Sequence, residues 1–432
     1  MNRHTVHRGE ILHFLNAPNE NNSEAVQHFK DGLLVIEGDY VKAVGDASTL
    51  LKTLAKDVEI IEHPNCLITP GFVDTHIHYP QCEVIASYGE QLLEWLETYT
   101  FPAEMKFEDA EYASSMAKFF LDQLLSNGTT TALVFGSVHP QSVEAFFTEA
   151  QQRKLRMICG KVMMDRNAPY ELLDTPETSY QESRDLIEKW HNKDRLRYAV
   201  TPRFAPTSTS EQLESAGRLL KEYPDVHFQT HLSENKKECE WVKNLFPDRE
   251  NYLDVYDHHQ LLGKRSLFAH GIHLEDAEWN RLAETDSALS FCPSSNLFIG
   301  SGLFKLKQAK HWGVKTGLGT DVGGGDSFSI LRTINQAYKI QQLQGDKLSA
   351  FESLYLATLG GAKALDLDDK IGNFEVGKEA DFVVLDYHAT DLLKFKIEHC
   401  ASIAQRLFSL LMLADDRAVK ETYILGNKYA KS

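Results

Sequence analysis

Two histidines in alternate positions, His76 and His78, end a short segment that has the pattern of a buried strand. Residues 70–78 read PGFVDTHIH, so apolar and small side chains lead into the pair. In a β-strand, residues i and i+2 point to the same face, and the two imidazoles would therefore leave the strand end together. Two such imidazoles can bind one transition metal. A pair of structural histidines fits this segment equally well, so the rest of the chain has to decide.

Further polar side chains follow later apolar runs that also have the pattern of strands. His231 and His270 each come directly after such a run, and Glu234 follows His231 by three residues. The last run of this kind ends three residues before Asp321. Several histidines with one carboxylate suit Zn²⁺ or Fe²⁺ and leave a coordination position for water. The pattern predicts a metal site with an acid, Glu234, beside it.

The elements that would carry these residues alternate between strands and helices. Strands are predicted at 67–73, 131–135, 157–162, 196–202, 227–230, 266–269, 288–291 and 315–318, and helices at 110–127, 137–153, 180–193, 210–223, 236–245 and 276–284. Such alternation implies a parallel sheet, and eight units over roughly 250 residues match a TIM barrel. The predicted fold is therefore α/β, a (β/α)8 barrel with its chemistry at the C-terminal ends of the strands.

The two ends of the chain have a different pattern from the middle. Residues 1–69 read as short strands and turns, and the tail contains a turn followed by a strand near 380–386. We predict a small β-domain built from residues 1–69 and 376–432, which flanks a barrel at 70–375.

The composition is that of a globular protein that stays in solution. The 432 residues are 42% hydrophobic and 25% charged, and the formal net charge of −17 argues against partners such as nucleic acid or an anionic membrane. Neither a signal peptide nor a membrane-spanning run is visible. Six cysteines are scattered without a Cys-x-x-Cys pair, so we expect a reduced, cytoplasmic protein.

The chain resembles the amidohydrolase superfamily over nearly its whole length. The matching elements are residues 71–78 (GFVDTHIH), His231 with Glu234, His270, residues 319–321 (GTD) and residues 377–385 (GKEADFVVL). Each element is weak alone, and together they are highly specific. The resemblance implies a metal-dependent hydrolase on the barrel predicted above.

Within that superfamily the chain is most similar to the guanine deaminases. The segments that carry this closer similarity are residues 76–81 (HIHYPQ), 95–102 (WLETYTFP), 201–207 (TPRFAPT) and 231–234 (HLSE). The similarity implies hydrolytic removal of the 2-amino group of guanine, which gives xanthine and ammonia. It also implies one Zn²⁺ per subunit, with Fe²⁺ as the alternative that the same ligands accept, and commonly a homodimer.

Under this resemblance the residues of the predicted metal site have separate roles. The metal ligands would be His76, His78, His231 and Asp321. Asp321 would also accept a proton from the attacking water. Glu234 would protonate the ring nitrogen next to the attacked carbon and help the amine leave as ammonia. His270 would orient the water or stabilise charge on it.

Purine recognition needs a flat slot with donors and acceptors at fixed places. Arg203 would present its planar guanidinium to the carbonyl edge, Phe204 would pack against the ring, and the amide of Gln81 would both donate and accept. His231, Glu234 and Asp321 would complete the substrate site. Residues 95–102 read as core from their sequence alone, and the resemblance implies that they wall off the pocket.

Three alternatives remain open at the level of sequence. A deaminase or dechlorinase of another aminated aromatic ring, such as 8-oxoguanine, a pterin or a triazine, would share the barrel and the metal site. A binuclear hydrolase of cyclic amides would need a carboxylated lysine, for which Lys161 is the candidate. A catalytically inactive scaffold on the same fold would usually have lost part of the ligand set, which is complete here.

Overall fold

A computed structural model describes residues 4–18, 23–55, 58–89 and 91–430 of the chain. The strands of these residues are β1 (His4–Phe14), β2 (Val26–Glu37), β3 (Tyr40–Asp46), β4 (Ile60–Pro70), β5 (Phe72–His78), β6 (Thr129–Phe135), β7 (Arg156–Gly160), β8 (Val162–Met163), β9 (Arg197–Pro202), β10 (His227–Leu232), β11 (Ser266–His270), β12 (Ala288–Phe291), β13 (Lys315–Leu318), β14 (Phe382–Asp386), β15 (Val419–Ile424) and β16 (Asn427–Lys428).

The α-helices are mostly short and amphipathic. They are α1 (Ala47–Leu50), α2 (Leu92–Trp95), α3 (Phe101–Met105), α4 (Ala110–Ser126), α5 (Pro140–Gln152), α6 (Pro176–Trp190), α7 (Ser210–Glu222), α8 (Lys236–Leu245), α9 (Tyr252–His258), α10 (Asp276–Glu284), α11 (Pro293–Phe298), α12 (Leu306–Trp312), α13 (Ile330–Leu343), α14 (Ala350–Leu356), α15 (Leu359–Ala364), α16 (Asp391–Glu398) and α17 (Ile403–Leu413). None of the described helices is long and apolar enough to cross a membrane.

The predicted barrel is confirmed. Its strands follow one another in the order β5-β6-β7-β9-β10-β11-β12-β13, with β8 paired to β9. The ladders from β6 to β7 and from β9 through to β13 are parallel, and helices connect most of the strands. Every residue of β5 and of β6 is buried, as expected for parallel strands that are covered on both faces.

One strand boundary differs from the sequence-based prediction. A strand was expected at 67–73, but residues 67–70 belong to β4, where Thr69 pairs with Val383, and the barrel strand is Phe72–His78. Gly71 lies between the two strands, and only glycine fits there, because a Cβ atom at this position would lie 2.1 Å from Oγ1 of Thr130. The barrel strand nevertheless ends in His76 and His78, as the histidine motif predicted.

A second sheet is built from the two ends of the chain, as predicted. Its strand order is β16-β15-β14-β4-β1-β2-β3, and β1 pairs in parallel with β4 and antiparallel with β2. Its core includes Ile11, Ile68, Phe382 and Val384.

This second sheet also buries two histidines at its core. The Nδ1 atom of His7 lies 3.0 Å from the Nε2 atom of His63, and both side chains are almost completely buried. Burial, followed by the neighbouring His63, lowers the pKa of His7 to about 3. The ring of His7 also packs edge-on against Phe382 and Tyr423. These histidines therefore stay neutral inside an apolar environment.

By packing, the chain divides into two compact units. One comprises residues 1–73, 122–130 and 329–432, and the other comprises residues 74–121 and 131–328. The first unit holds helices α13 to α17 in addition to the second sheet, and α17 packs against α13, α14 and α16. The domain boundaries after residues 69 and 375 stay a prediction.

Candidate active site

Three imidazoles and one carboxylate converge at the C-terminal ends of the barrel strands. The Nε2 atom of His78 lies 3.3 Å from that of His76 and 3.2 Å from that of His231. The Oδ1 atom of Asp321 lies 3.2 Å from Nε2 of His76 and 3.5 Å from Nε2 of His78. The four residues predicted as metal ligands are thus brought together by β5, β10 and the loop after β13.

The hydrogen bonds of His231 fix the proton on its ring. Its Nδ1 atom lies 2.6 Å from the carbonyl oxygen of Arg203, which can only accept, so Nδ1 carries the proton and Nε2 presents a lone pair. A proton on Nε2 of His78 can form a hydrogen bond to only one neighbouring nitrogen, but two lie within 3.3 Å of it, those of His76 and His231. The lone pairs of these nitrogens would otherwise face one another and repel. A divalent cation among them would coordinate the lone pairs, and the residues therefore fit a metal ion.

Burial keeps these imidazoles in the neutral form that binds metals. Burial first, and then the nearby His76, holds the pKa of both His78 and His231 well below the usual value. Burial would raise the pKa of Asp321, but the surrounding histidines hold it well below its usual range, so this side chain is a carboxylate. Neutral imidazoles and an ionised carboxylate are the protonation states that coordination requires.

His270 lies at the edge of the same cluster. A grouping of possible ligand atoms within 4.8 Å of one another contains His76, His231, His270 and Asp321 and omits His78. The direct distances favour His78 as a ligand. Its Nε2 atom lies within 3.5 Å of His76, His231 and Asp321. The Nε2 atom of His270 lies 3.8 Å from Oδ2 of Asp321. The predicted ligand set with His78 stays a prediction.

Glu234 is buried beside His270, as the sequence suggested. Its Oε2 atom lies 3.4 Å from Nε2 of His270, and its Oε1 atom accepts a hydrogen bond of 3.0 Å from Ser301. Burial raises the pKa of Glu234 to about 7, and the carboxylates of Asp321 and Glu238 act in the same direction against His270. A carboxyl group with a pKa near neutrality can both give and take a proton.

Side chains outside the predicted set hold the catalytic candidates in place. Asn296 places its Oδ1 atom 2.9 Å from Nδ1 of His270, and Glu238 accepts 2.9 Å hydrogen bonds from the backbone N–H groups of Glu234 and Asn235. Glu238 belongs to a capping box of α8 with Asn235. The Asn-x-x-Glu spacing of that box is visible in the sequence and could have identified Glu238.

Asp74, which belongs to the histidine motif, connects two of the strand ends. Its Oδ1 atom accepts from the backbone N–H groups of Thr320 (3.1 Å) and His76 (3.2 Å), and its Oδ2 atom accepts from the hydroxyl of Thr320 at 2.5 Å. The backbone N–H of Asp321 also donates to the carbonyl oxygen of His76, at 2.9 Å. The histidine pair and Asp321 are therefore held in register by one buried carboxyl group.

Three residues of the site have a left-handed backbone. The φ angles are +48° at Ser233, +73° at His270 and +51° at Asp321. This region is unfavourable for residues with a side chain, and such residues concentrate at functional sites. Here the conformation occurs where the chain leaves β10, β11 and β13.

A cavity opens beside the cluster of histidines and Asp321. It is lined by His78, Gln81, Leu92, Trp95, Leu96, Arg203, Phe204, His231, Glu234, His270, Ile299, Asp321 and Gly324. All six residues expected to bind the substrate are in this set, and so are the first two residues of the segment 95–102. The lining combines apolar and aromatic side chains with a few polar groups, as is typical of small-molecule sites.

One residue that the sequence did not reveal is Glu104, on α3. Its side chain is completely buried, and it accepts hydrogen bonds from Arg203 Nη1 at 2.7 and 2.9 Å and from Gln81 Nε2 at 3.0 Å. Phe101, from the same helix, places its ring centroid 5.5 Å from the guanidinium carbon of Arg203. In sequence, Glu104 is one acidic residue in a short segment without a motif.

Lys161 does not contribute to the cavity. Its Nζ atom lies 2.6 Å from Oδ2 of Asp174 and 3.3 Å from Oε2 of Glu182, and the side chain is completely buried. A carboxylated lysine that bridges two metal ions would need to lie among the metal ligands. The placement of Lys161 removes the support for a binuclear hydrolase of cyclic amides.

Comparison with known proteins gives the same family from sequence and from structure. The model of the Amidohydrolase family matches residues 67–428. The guanine deaminase of Escherichia coli (strain K12) is 55% identical over 404 residues, which cover 94% of this chain and 92% of the relative. The solved structure of E. coli guanine deaminase has a TM-score of 0.96 at 52% identity and covers 99% of both chains.

A further solved structure is a guanine deaminase from C. acetobutylicum with guanine bound in its active site. It is 28% identical, has a TM-score of 0.89, and covers 98% of this chain and 99% of its own. The family match spans most of the chain, and the group of possible metal ligands lies at the strand ends where such a barrel carries its chemistry. The chain belongs to the amidohydrolase family.

Proposed function

We propose that this protein is a zinc-dependent guanine deaminase that hydrolyses guanine to xanthine and ammonia. The observation that carries the proposal is the cluster of three histidines and one aspartate beside a cavity that Gln81 and Arg203 also line. The relatives with the name guanine deaminase cover nearly the whole chain, and one of them holds guanine in its active site.

The metal ion would be held by His76, His78, His231 and Asp321. When bound, zinc lowers the pKa of a water molecule so that a nucleophile is available near neutral pH. Fe²⁺ accepts the same nitrogen and oxygen ligands, so metal analysis has to identify the ion.

Three side chains of the site move or hold protons during the reaction. Asp321 accepts a proton from the attacking water, whose oxygen forms a bond to C2 of guanine. Glu234 donates a proton to the adjacent ring nitrogen and recovers one from the new hydroxyl group on C2, which becomes the carbonyl of xanthine. The proton that Asp321 accepted passes to the amino group with the help of Glu234, so that the C2–N bond breaks and ammonia leaves. His270, at 3.4 Å from Glu234, orients the water and stabilises the charge that develops on it.

The walls of the cavity distinguish one ring from another. The guanidinium of Arg203 donates to the carbonyl oxygen of the purine, the amide of Gln81 pairs with a mixed donor and acceptor edge, and Phe204 packs against the ring. All three side chains are buried and line the cavity. A recognition edge of this kind favours an oxopurine over an unsubstituted ring.

We also propose that the protein works in the cytoplasm as a homodimer that needs neither nucleic acid nor a membrane. The six cysteines, all free in the structure, are compatible with a reducing compartment. The net charge of −17 disfavours polyanionic partners. Light scattering of the purified protein measures the oligomeric state directly, and a monomer at working concentrations would contradict the dimer.

The test is ammonia release from a panel of aminated rings by the purified protein, before and after chelation. The panel contains guanine, adenine, cytosine, 8-oxoguanine and an aminated pterin. We expect turnover of guanine that is lost on chelation and restored by zinc. Preference for another ring would preserve the metal site and refute the substrate, and metal-independent turnover would refute the mechanism.

A further inference from the structure

The purine-facing side chains Gln81 and Arg203 share one buried partner, Glu104. The carboxylate of Glu104 is completely enclosed and accepts three hydrogen bonds, two from Arg203 and one from Gln81. It is not among the residues that line the cavity. Glu104 could therefore influence ligand binding indirectly, through the orientation of Gln81 and Arg203.

Glu104 determines which way the amide of Gln81 points. A carboxylate oxygen can only accept, so the Nε2 atom of Gln81 must face Glu104. On the other side, the backbone N–H of Gly323 donates to Oε1 of Gln81 at 3.2 Å. Both neighbours agree on one orientation of the amide, which leaves one N–H and one lone pair of Gln81 for a ligand.

Glu104 also occupies one nitrogen of the Arg203 guanidinium group. Both of its hydrogen bonds to Arg203 go to Nη1. Within the described residues, Nε and Nη2 of Arg203 make no hydrogen bond, and Arg203 lines the cavity. The buried carboxylate compensates the charge of a guanidinium whose side chain is only 3% exposed. A ligand in the cavity can therefore accept hydrogen bonds from Arg203, whose positive charge is already balanced by Glu104.

We propose that Glu104 is a positioning residue that sets the specificity of the site for an uncharged oxopurine. It holds Gln81 and Arg203 in their donor and acceptor arrangement, and it neutralises Arg203 so that anions gain no advantage. This inference rests on the proposed guanine deaminase activity. Xanthine, the expected product, is a weak acid that ionises near neutral pH, so the same compensation limits retention of the product as an anion.

The first test is steady-state kinetics of Glu104→Gln with guanine. A glutamine turns an N–H group toward Arg203 or Gln81, which are both donors, and so it disrupts the arrangement. We expect KM for guanine to rise roughly tenfold and kcat to change by less than about threefold, because the altered groups contact the substrate and leave the metal cluster untouched. Zinc content should remain equal to that of the wild type.

The second test separates the charge of Glu104 from its hydrogen bonds. Glu104→Asp keeps the negative charge and withdraws the oxygens by one methylene group. Inhibition by xanthine is measured above the pKa of xanthine for both variants. In Glu104→Gln the uncompensated Arg203 should make the inhibition constant of xanthine, relative to KM for guanine, fall about tenfold. In Glu104→Asp that ratio should stay near the wild-type value while KM rises.

The control is Glu108→Gln, which changes an exposed glutamate four residues later in the chain and outside the segment 95–102. It should leave KM and xanthine inhibition unchanged. Arg203→Ala serves as the second reference, because it should weaken purine binding and abolish the gain for xanthine. Wild-type KM and wild-type xanthine inhibition in Glu104→Gln, or an equal loss of kcat with loss of zinc, would overturn the role of Glu104.

The outcome stays interpretable if the proposed function fails. A wild-type protein that binds purines without releasing ammonia from guanine refutes the deaminase, and the specificity of the cavity is then measured by calorimetry with hypoxanthine and xanthine. Glu104→Gln should still shift the preference toward the anion. If Glu104→Gln does not fold, the Glu104→Asp variant alone decides, since an unchanged KM there would contradict the positioning role.

Discussion

Glu234 and His270 form a buried pair whose ionisation depends on each other. Their nearest side-chain atoms are 3.4 Å apart, and Ser301 holds the far oxygen of Glu234. Burial raises the pKa of Glu234 to about 7, while its proximity to His270 opposes that rise. This carboxyl group is thus poised between its two protonation states, which suits a residue that passes protons between water and a ring nitrogen.

Replacement of Glu234 by glutamine should separate metal binding from proton transfer. An amide of the same size keeps the packing but cannot transfer a proton, so we expect kcat to fall by about 10² to 10⁴ with zinc content unchanged. The measurement is ammonia release together with metal analysis of the same sample. In Ser301→Ala, which removes one hydrogen bond to Glu234, kcat should fall much less. Full activity of Glu234→Gln would end its acid–base assignment.

At this scale the sequence was informative where a residue type is tied to a strand end. His231 and Asp321 were predicted as neighbours because parallel strands end at one face of a barrel, and they do converge in the structure. Glu104 could not be found this way. Its partners Arg203 and Gln81 are about a hundred and about twenty residues away in sequence, and no local spacing connects them.

At the scale of elements, the end of β5 and the loop after β13 act as one piece through Asp74. This carboxyl group accepts hydrogen bonds from Thr320 and from the backbone of His76, so it holds the histidine pair opposite Asp321. Residues that orient ligands are often as important for a metal site as the ligands themselves. The strength of metal binding should accordingly depend on Asp74.

Asp74→Asn should weaken zinc binding without removing a ligand. The amide places an N–H group among donors, which loosens the contact to Thr320, and we expect zinc affinity to fall roughly 10- to 100-fold. Competition with a chelator of known affinity measures it. The matched control is Asp369→Asn, at an exposed aspartate in the turn before Lys370. Wild-type zinc affinity with only a lower melting temperature would reduce Asp74 to a structural residue.

Most elements could be predicted because their patterns are local. The strands at 288–291 and 315–318 were predicted with the observed bounds, and the helix at 276–284 also agrees. The strand at 67–73 was misplaced because its apolar run continues through Gly71, where the close approach of Thr130, about sixty residues away, leaves room only for glycine. Long-range sterics of this kind leave no periodic signal.

At the scale of the whole molecule, buried histidines link stability to pH. Burial lowers the pKa of His7 to about 3 and that of His13 to about 4. In the unfolded chain both would bind a proton near pH 6.5, and in the folded protein they remain neutral. The unfolded state therefore binds more protons below that pH, and the free energy of unfolding must decrease as pH falls from about 6.5 toward 4.

We expect each of these two histidines to lower the free energy of unfolding by about 1.4 kcal/mol per pH unit in that window. Urea denaturation at a series of pH values measures the slope. His7→Phe keeps an aromatic ring in the apolar site beside Phe382 and should reduce the slope by the share of one histidine. The exposed His311, replaced by glutamine, is the control. An identical slope in His7→Phe would show that His7 does not stay neutral in the native state.

The left-handed backbone at Ser233, His270 and Asp321 has a consequence for evolution in the laboratory. Each such position is about 1 kcal/mol less favourable for a residue with a side chain than for glycine. Selection of a mutant library for heat resistance alone would thus reward glycine or asparagine at His270 and Asp321, for which we propose roles in the reaction. Thermostable variants would lose activity unless each round of selection also required turnover. Substitutions at these positions would be the first sign of that loss.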